Sequence, residues 1–238
     1  MAKKFLTFFA AIIVVTAAPA FADTISQTQS FTGLPNINGS LTFNQFDSNS
    51  SIWTLQSIQV SFTLQSIGGY ARLDNDSALP ASGTLEFGNK GNISSTDVLL
   101  LDSSFQPVVN QIKACHQESF SLAPDNGDGP YNYDWASPDG LLYSSGIETN
   151  TDSGFVDSDF WPGYTGTDTY NIDYSVTQWF NYGGFGGIEY AVTPAGASGQ
   201  ITVIYTYDDL PVPEPATIAT LAFGLLWTSR SRRKKPGS

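Results

Sequence analysis

The sequence predicts an all-β fold, an antiparallel β-sandwich of jelly-roll-like type, preceded by an N-terminal signal peptide and followed by a short C-terminal hydrophobic helix. Three observations predict it. Short apolar runs in residues 23–210 are separated by gaps rich in Gly, Ser, Thr, Asn and Asp, the residues that supply turns. The body has no Ala-rich stretch with apolar residues at helical spacing. In residues 58–64, Ile58, Val60, Phe62 and Leu64 alternate with Gln59, Ser61 and Thr63, so one face of a strand is buried and the other is wet.

The first element is the leader. Lys3 and Lys4 precede a nearly all-apolar run over residues 5–18, and Ala20-Phe21-Ala22 offers the small side chains that a signal peptidase accepts. Residues 1–22 therefore read as a signal peptide, and the mature chain as starting at Asp23. The body that follows, residues 23–210, is long enough for one domain with a substantial core, and no linker divides it.

Within the body, strands are expected at residues 25–31, 41–46, 58–64, 70–73, 84–87, 97–101, 118–122, 174–180, 188–192 and 200–207. Gly68-Gly69 stands between two of them and predicts a hairpin. The segment TLQSI at residues 54–58 recurs at 63–67, a spacing too short for a solenoid repeat. Tyr182-Gly183-Gly184-Phe185-Gly186-Gly187 reads as a turn between strands. Trp53, Phe62 and Phe87 are expected to fill the core. The last strand leads through Asp208-Asp209-Leu210-Pro211 into a proline-rich exit that stops further pairing.

Residues 211–238 have three parts in a fixed order: Pro213-Glu214-Pro215, an uncharged stretch over residues 216–229, and the cations Arg230, Arg232, Arg233, Lys234 and Lys235. As a helix the stretch would reach about 21 Å, against about 30 Å for the hydrocarbon core of a bilayer. Such a segment halts in a membrane with its basic end on the cytoplasmic side, as a transient rather than a permanent anchor.

Processing at both ends would change the charge. Of ten lysines and arginines, two leave with the leader and five with the tail. Arg72, Lys90 and Lys113 then face 22 acidic residues, a net charge of −19 against −12 for the whole chain. That balance excludes nucleic acid and an anionic membrane surface as partners of the body, and suits divalent cations or neutral polymers.

The tail resembles the PEP-CTERM sorting signal of bacterial exported proteins on Pro213-Glu214-Pro215, the apolar stretch and the basic cluster together. That resemblance implies recognition and removal by a membrane-embedded exosortase, in a Gram-negative or cyanobacterial host that secretes exopolysaccharide. The body is similar in outline to the choice-of-anchor E domain, on FTGLPNINGSLTFNQFD, WTLQSIQVSFTLQ, YARLDND and the closing GQITVIYTY. Together the resemblances imply a protein of the cell surface or extracellular matrix with a structural or adhesive role linked to exopolysaccharide or biofilm. The family supplies no catalytic residue.

The segment PDNGDGPYNYDWASPDG, residues 124–140, matches the resemblance poorly and is where chemistry is sought. Asp125, Asp128, Asp134 and Asp139 offer closely spaced carboxylates of the kind Ca²⁺ takes, and Asp152, Asp157 and Asp159 could join from another loop. Gly127 and Gly129 fall where an EF-hand loop needs side-chain oxygens, so that motif is not met. Ca²⁺ on Asp125, Asp128 and Asp134 is the only cofactor the sequence suggests. Trp135 and Trp161, among tyrosines and carboxylates, could form a sugar-binding face, which makes a carbohydrate-binding module the alternative reading. A glycoside hydrolase would need a carboxylate pair that sequence cannot choose. Cys115 and His116, the chain's one cysteine and one histidine, are neighbours in an extended segment and point to opposite faces, so no nucleophile-base pair forms.

Overall fold

A computed structural model describes residues 22–48, 52–130, 135, 138–183 and 186–209. The expected signal peptide up to Phe21 lies outside the described residues, Ala20 included, and so does the tail with Pro213, Glu214, Pro215 and its basic cluster.

The strands are β1 (Ala22–Gly33), β2 (Ile37–Asn44), β3 (Trp53–Ile67), β4 (Tyr70–Asn75), β5 (Ala81–Ser94), β6 (Ile112–Leu122), β7 (Gly140–Ser144), β8 (Ile147–Phe155), β9 (Thr169–Asn181), β10 (Ile188–Thr193) and β11 (Gly196–Asp209). A single 3₁₀ turn, Ser158–Gly163, stands among the described residues. The strands pair antiparallel in three sheets, β1-β11-β3-β8, β10-β4-β7 and β2-β9-β5-β6.

The first two sheets are one sheet with a bend. β3 continues into β4 across Gly68-Gly69, β7 into β8 across Ser145-Gly146, and β10 into β11 across Pro194-Ala195. The order β11-β3-β8 is repeated beyond the bend as β10-β4-β7. Backbone bonds cross the seam: Gly68 N–H donates to Gly146 O at 2.9 Å, and Ser145 N–H to Gly69 O at 3.1 Å. The expected Gly68-Gly69 hairpin is therefore a kink. Both glycines adopt positive φ, 66° and 82°, but the chain keeps its heading because each half finds partners in the strands alongside. A Cβ on Gly69 would lie 2.7 Å from Ala195 N, so the seam closes only over a residue without a side chain.

Counting each bent pair as one strand leaves eight. Their orders are 1-8-3-6 in the bent sheet and 2-7-4-5 in the opposing one, the order of a jelly roll. The expected β-sandwich is thus present as an antiparallel jelly roll.

Two apolar cores fill the space between the layers. The larger lies against β3 and β11, on Ile58, Val60, Phe62, Leu64, Ile201, Val203 and Tyr205, and faces Phe43, Ile172 and Val176 of the other sheet. The smaller lies beyond the bend, on Ala71, Leu73 and Tyr143, and faces Leu85, Phe87, Phe120 and Leu122. Phe62 and Phe87 are fully buried as expected, whereas Trp53 stays half-buried at the rim. Two strand glycines are covered by aromatic rings from the neighbouring strand. Phe31 lies on Gly199, Tyr174 lies on Gly39, and the two rings stack at 3.9 Å across the sandwich.

One expected strand is absent. Residues 97–101 form a loop in which Val98 plugs the core, Asp97 accepts from Asn171, and only Leu101 pairs, by an isolated bridge to Pro107. β7 and β8 were not expected. The sequence of β8, IETNTDSGF, carries no apolar alternation, because as an edge strand with a half-exposed or exposed pattern throughout it needs none.

Candidate metal centre

Three connections converge at the end of the sandwich beyond the bend, those between β4 and β5, between β6 and β7, and between β9 and β10. Asn75, almost fully buried, ties them together: its side-chain amide donates to Leu79 O at 3.0 Å and Ala123 O at 2.6 Å, and its Oδ1 accepts from Ser77 N–H at 3.2 Å. Asp76 N–H donates to Gly187 O at 2.8 Å, and Asp125 N–H to Ser77 O at 2.9 Å. The loop over residues 125–128 turns on its own side chains. Asp125 Oδ1 accepts from Gly127 N–H at 2.9 Å and Asn126 Oδ1 from Asp128 N–H at 3.1 Å, with Gly127 and Gly129 at φ 95° and 77°.

This framework brings carboxylate oxygens of Asp76, Asp125 and Asp128 within 4.8 Å of one another. Asp139, 1% exposed, is tied to the same loop: its Oδ2 accepts from Asn126 N–H at 2.8 Å, while its Oδ1 is buried without a hydrogen-bond partner, as is Oδ2 of Asp128. Burial, reinforced by Glu189, Asp74, Asp125 and Asp128, raises the Asp76 carboxyl to about 6. Burial also raises that of Asp128, with a bond to Asp125 and its charge adding to the effect.

Among the described residues, no ion pair involves Asp76, Asp125 or Asp128. The three basic side chains of the body lie over aromatic rings instead: Arg72 over Tyr70 at 4.7 Å and Trp135 at 4.8 Å, Lys90 and Lys113 over Trp179 at 4.7 and 4.0 Å. Lys113 also pairs with Glu86 at 3.4 Å, and His116 Nδ1 lies 2.8 Å from Glu148 Oε1.

Of the sequence candidates, Asp125 and Asp128 are brought together, and Asp134 lies outside the described residues. Asp152, Asp157 and Asp159 do not join. Asp152 Oδ2 accepts from Asn110 N–H at 2.8 Å and Asp157 caps the 3₁₀ turn, both beside the larger core. Asp76 was missed, being far from Asp125 in sequence and brought near it only because the end of β4, in the bent sheet, and the end of β6, in the opposing one, lie at the same pole. Trp135 and Trp161 are not brought together either. Trp135 lies by the bent-over sheet under Arg72, and Trp161 packs against the larger core with its Nε1–H on Val156 O at 3.0 Å.

The single histidine and cysteine form no pair. His116 Nδ1 contacts Glu148 and its ring stacks on Tyr143 at 4.8 Å. Half-buried Cys115 donates to Asn89 O at 3.5 Å, and burial, with Glu86 adding, pushes its thiol up to about 11, away from a reactive thiolate. At the opposite end of the sandwich, an open cleft of ≈ 530 Å³ is lined by Phe46, Trp53 and Leu55 and by the polar Asp47, Ser48, Thr165 and Thr167.

No protein-family model and no curated protein matches the chain. Among solved structures it is similar to that of the infectious bursal disease virus Gx strain, at 10% identity and TM-score 0.22, covering 89% of this chain and 49% of that one. It is also similar to Desmodium yellow mottle tymovirus, at 8% identity and TM-score 0.17, over 85% and 98% of the two chains. A third is the Mud crab tombus-like virus, at 9% identity and TM-score 0.19, over 92% and 97%. The chain spans about half the length of the first of these, and scores of this size leave the fold assignment resting on the strand pairing itself.

Proposed function

We propose that this chain is an exported, non-enzymatic jelly-roll protein of the cell surface or extracellular matrix, with a structural or adhesive role linked to exopolysaccharide, and that an exosortase processes its tail. The observation that supports this reading is the pairing of its two end strands. Ala22 stands opposite Asp208 in the β1–β11 ladder, so the ends that carry the leader and the tail leave the sandwich side by side. Both would then meet one membrane at one pole, while the acidic loops lie at the other end of the continuous β10–β11 run. Burial of Phe43, Phe62, Phe87, Tyr164, Tyr170 and Tyr205 in the two cores fits a body whose role is shape rather than catalysis.

The test is the intact mass of the protein recovered from membrane, surface and medium fractions of its native host. A species running from Asp23 to the region of Pro213–Pro215 is the expected result. A species reaching Ser238 in the inner membrane would overturn the sorting reading. The second reading, a carbohydrate-binding module, draws on the cleft at Trp53, where aromatic rings adjoin Asp47 and hydroxyls. A glycan array without binding above background removes it.

A further inference from the structure

We propose that Asp76, Asp125 and Asp128, backed by Asp139, bind one calcium ion that ties together the loops at the pole opposite the chain ends. Two oxygens on the same calcium are at most about 4.8 Å apart, twice a bond of about 2.4 Å, and the three carboxylates meet that condition as they stand. The second observation is independent of their clustering. Asp139 is 1% exposed, its backbone carbonyl accepts from Asn75 N–H at 3.1 Å, and its Oδ1 has no hydrogen-bond partner. Asp139 accepts from Asn126 of the same loop, and Asp128 Oδ2 within the cluster is likewise buried without a partner; carboxylate oxygens buried in that way are costly unless something positive completes them. Among the described residues, the body's three cations lie over aromatic rings, Arg72 over Tyr70 and Trp135 and Lys90 and Lys113 over Trp179.

The donor set selects the ion class. All ligands are carboxylate oxygens, and the chain's one histidine and one cysteine lie on β6 away from the loops, so soft and borderline metals have no nitrogen or sulfur to bind. Carboxylates carried on separate loops suit the larger and more adaptable calcium shell better than the strict octahedron of magnesium. The ion would bridge the segment after β4 to the segment after β6, two places otherwise joined by the backbone bond from Asp125 to Ser77 and the side chain of Asn75. The affinity range expected, that of an extracellular module, rests on the export reading; the binding itself does not.

The purified full chain is titrated with calcium chloride by calorimetry after exhaustive chelation, alongside Asp125→Asn, Asp128→Asn and the distant Asp152→Asn. The expected result is one calcium per chain with a dissociation constant of about 10⁻⁴–10⁻³ M. Affinity falls at least tenfold in Asp125→Asn and Asp128→Asn and is unchanged in Asp152→Asn. The melting temperatures of the two cluster variants in chelator stay at or above that of the parent, because each removes one of several repelling charges, and this shows that lost binding is not lost folding. Three results overturn the proposal: no saturable heat up to ~10 mM calcium, binding unaffected by the cluster variants, or the same saturable heat from magnesium. Calcium binding together with a retained tail in the mass measurement would sink the surface role and leave the site standing; the converse would sink the site alone.

Discussion

Removing the Tyr205 hydroxyl should cost more stability than removing its partner's, and removing both should cost less than removing Tyr205's alone. The two side chains lie at the centre of the larger core, Tyr205 0% and Tyr170 1% exposed. Their hydroxyls are 2.7 Å apart, and Tyr205 Oη–H donates to Asn44 O at 3.2 Å. With that proton committed, Tyr170 must be the donor of the shared bond. Tyr205→Phe removes both bonds and leaves the Tyr170 O–H buried without an acceptor. Asn44 O is not orphaned, because Gln27 Nε2–H also reaches it at 2.8 Å.

At about 1 kcal/mol for each net bond and about 1–3 kcal/mol for an orphaned buried donor, Tyr205→Phe should cost about 3–5 kcal/mol. Tyr170→Phe leaves Tyr205 still donating to Asn44 and should cost about 1 kcal/mol. In the double variant no donor is orphaned, so about 1 kcal/mol or more of the Tyr205→Phe loss should return. The assay is urea unfolding followed by far-UV circular dichroism. With a slope of about 2 kcal/mol/M, Tyr205→Phe moves the midpoint down by roughly 1.5–2.5 M, and adding Tyr170→Phe moves it partly back. A second substitution that lowers the midpoint further, by as much as it does alone, would refute the assigned bond direction.

The seam between the bent halves gives a paired prediction. Gly68→Ala has open space around the new Cβ and only the left-handed strain of φ 66°, about 1 kcal/mol; Gly69→Ala adds a clash with the Ala195 and Thr193 backbone and should cost two to four times as much, roughly 2–4 kcal/mol. Equal midpoint losses in urea would mean that the seam is not tightly closed. Alkaline unfolding gives another. Burial holds Tyr164 and Tyr170 well above the usual tyrosine range and raises Tyr205 from 10.0 to about 12. Folded values above unfolded ones mean stability that is fully present below about pH 10 and is lost as pH rises through 12 and beyond. The tyrosinate absorbance of these three residues should therefore appear in one step with loss of the circular dichroism signal; smooth titration of all 11 tyrosines near pH 10 in a protein that stays folded would contradict the burial argument.

What could be read from the sequence was whatever local periodicity dictates. β3 was legible because Ile58, Val60, Phe62 and Leu64 all face one core, and β11 for the same reason. β8 was not, because an edge strand paired on one side by β3 needs no apolar alternation, and the run at 98–101 misled because Val98 enters the core from a loop. Gly68-Gly69 looks identical in sequence whether the chain turns or kinks; the choice is made by β7 and β10, which give β4 partners beyond the bend. The same dependence governs the site. Asp125 and Asp128 were visible as neighbours, whereas Asp76 reaches them only because the β4 end and the β5–β6 hairpin are brought to one pole. The excess of acid in the body thus has a location as well as a size. Its three cations lie over Tyr70, Trp135 and Trp179. If the carboxylates at that pole hold a divalent cation, low salt should make its loops more sensitive to divalent cations than the sandwich beneath them.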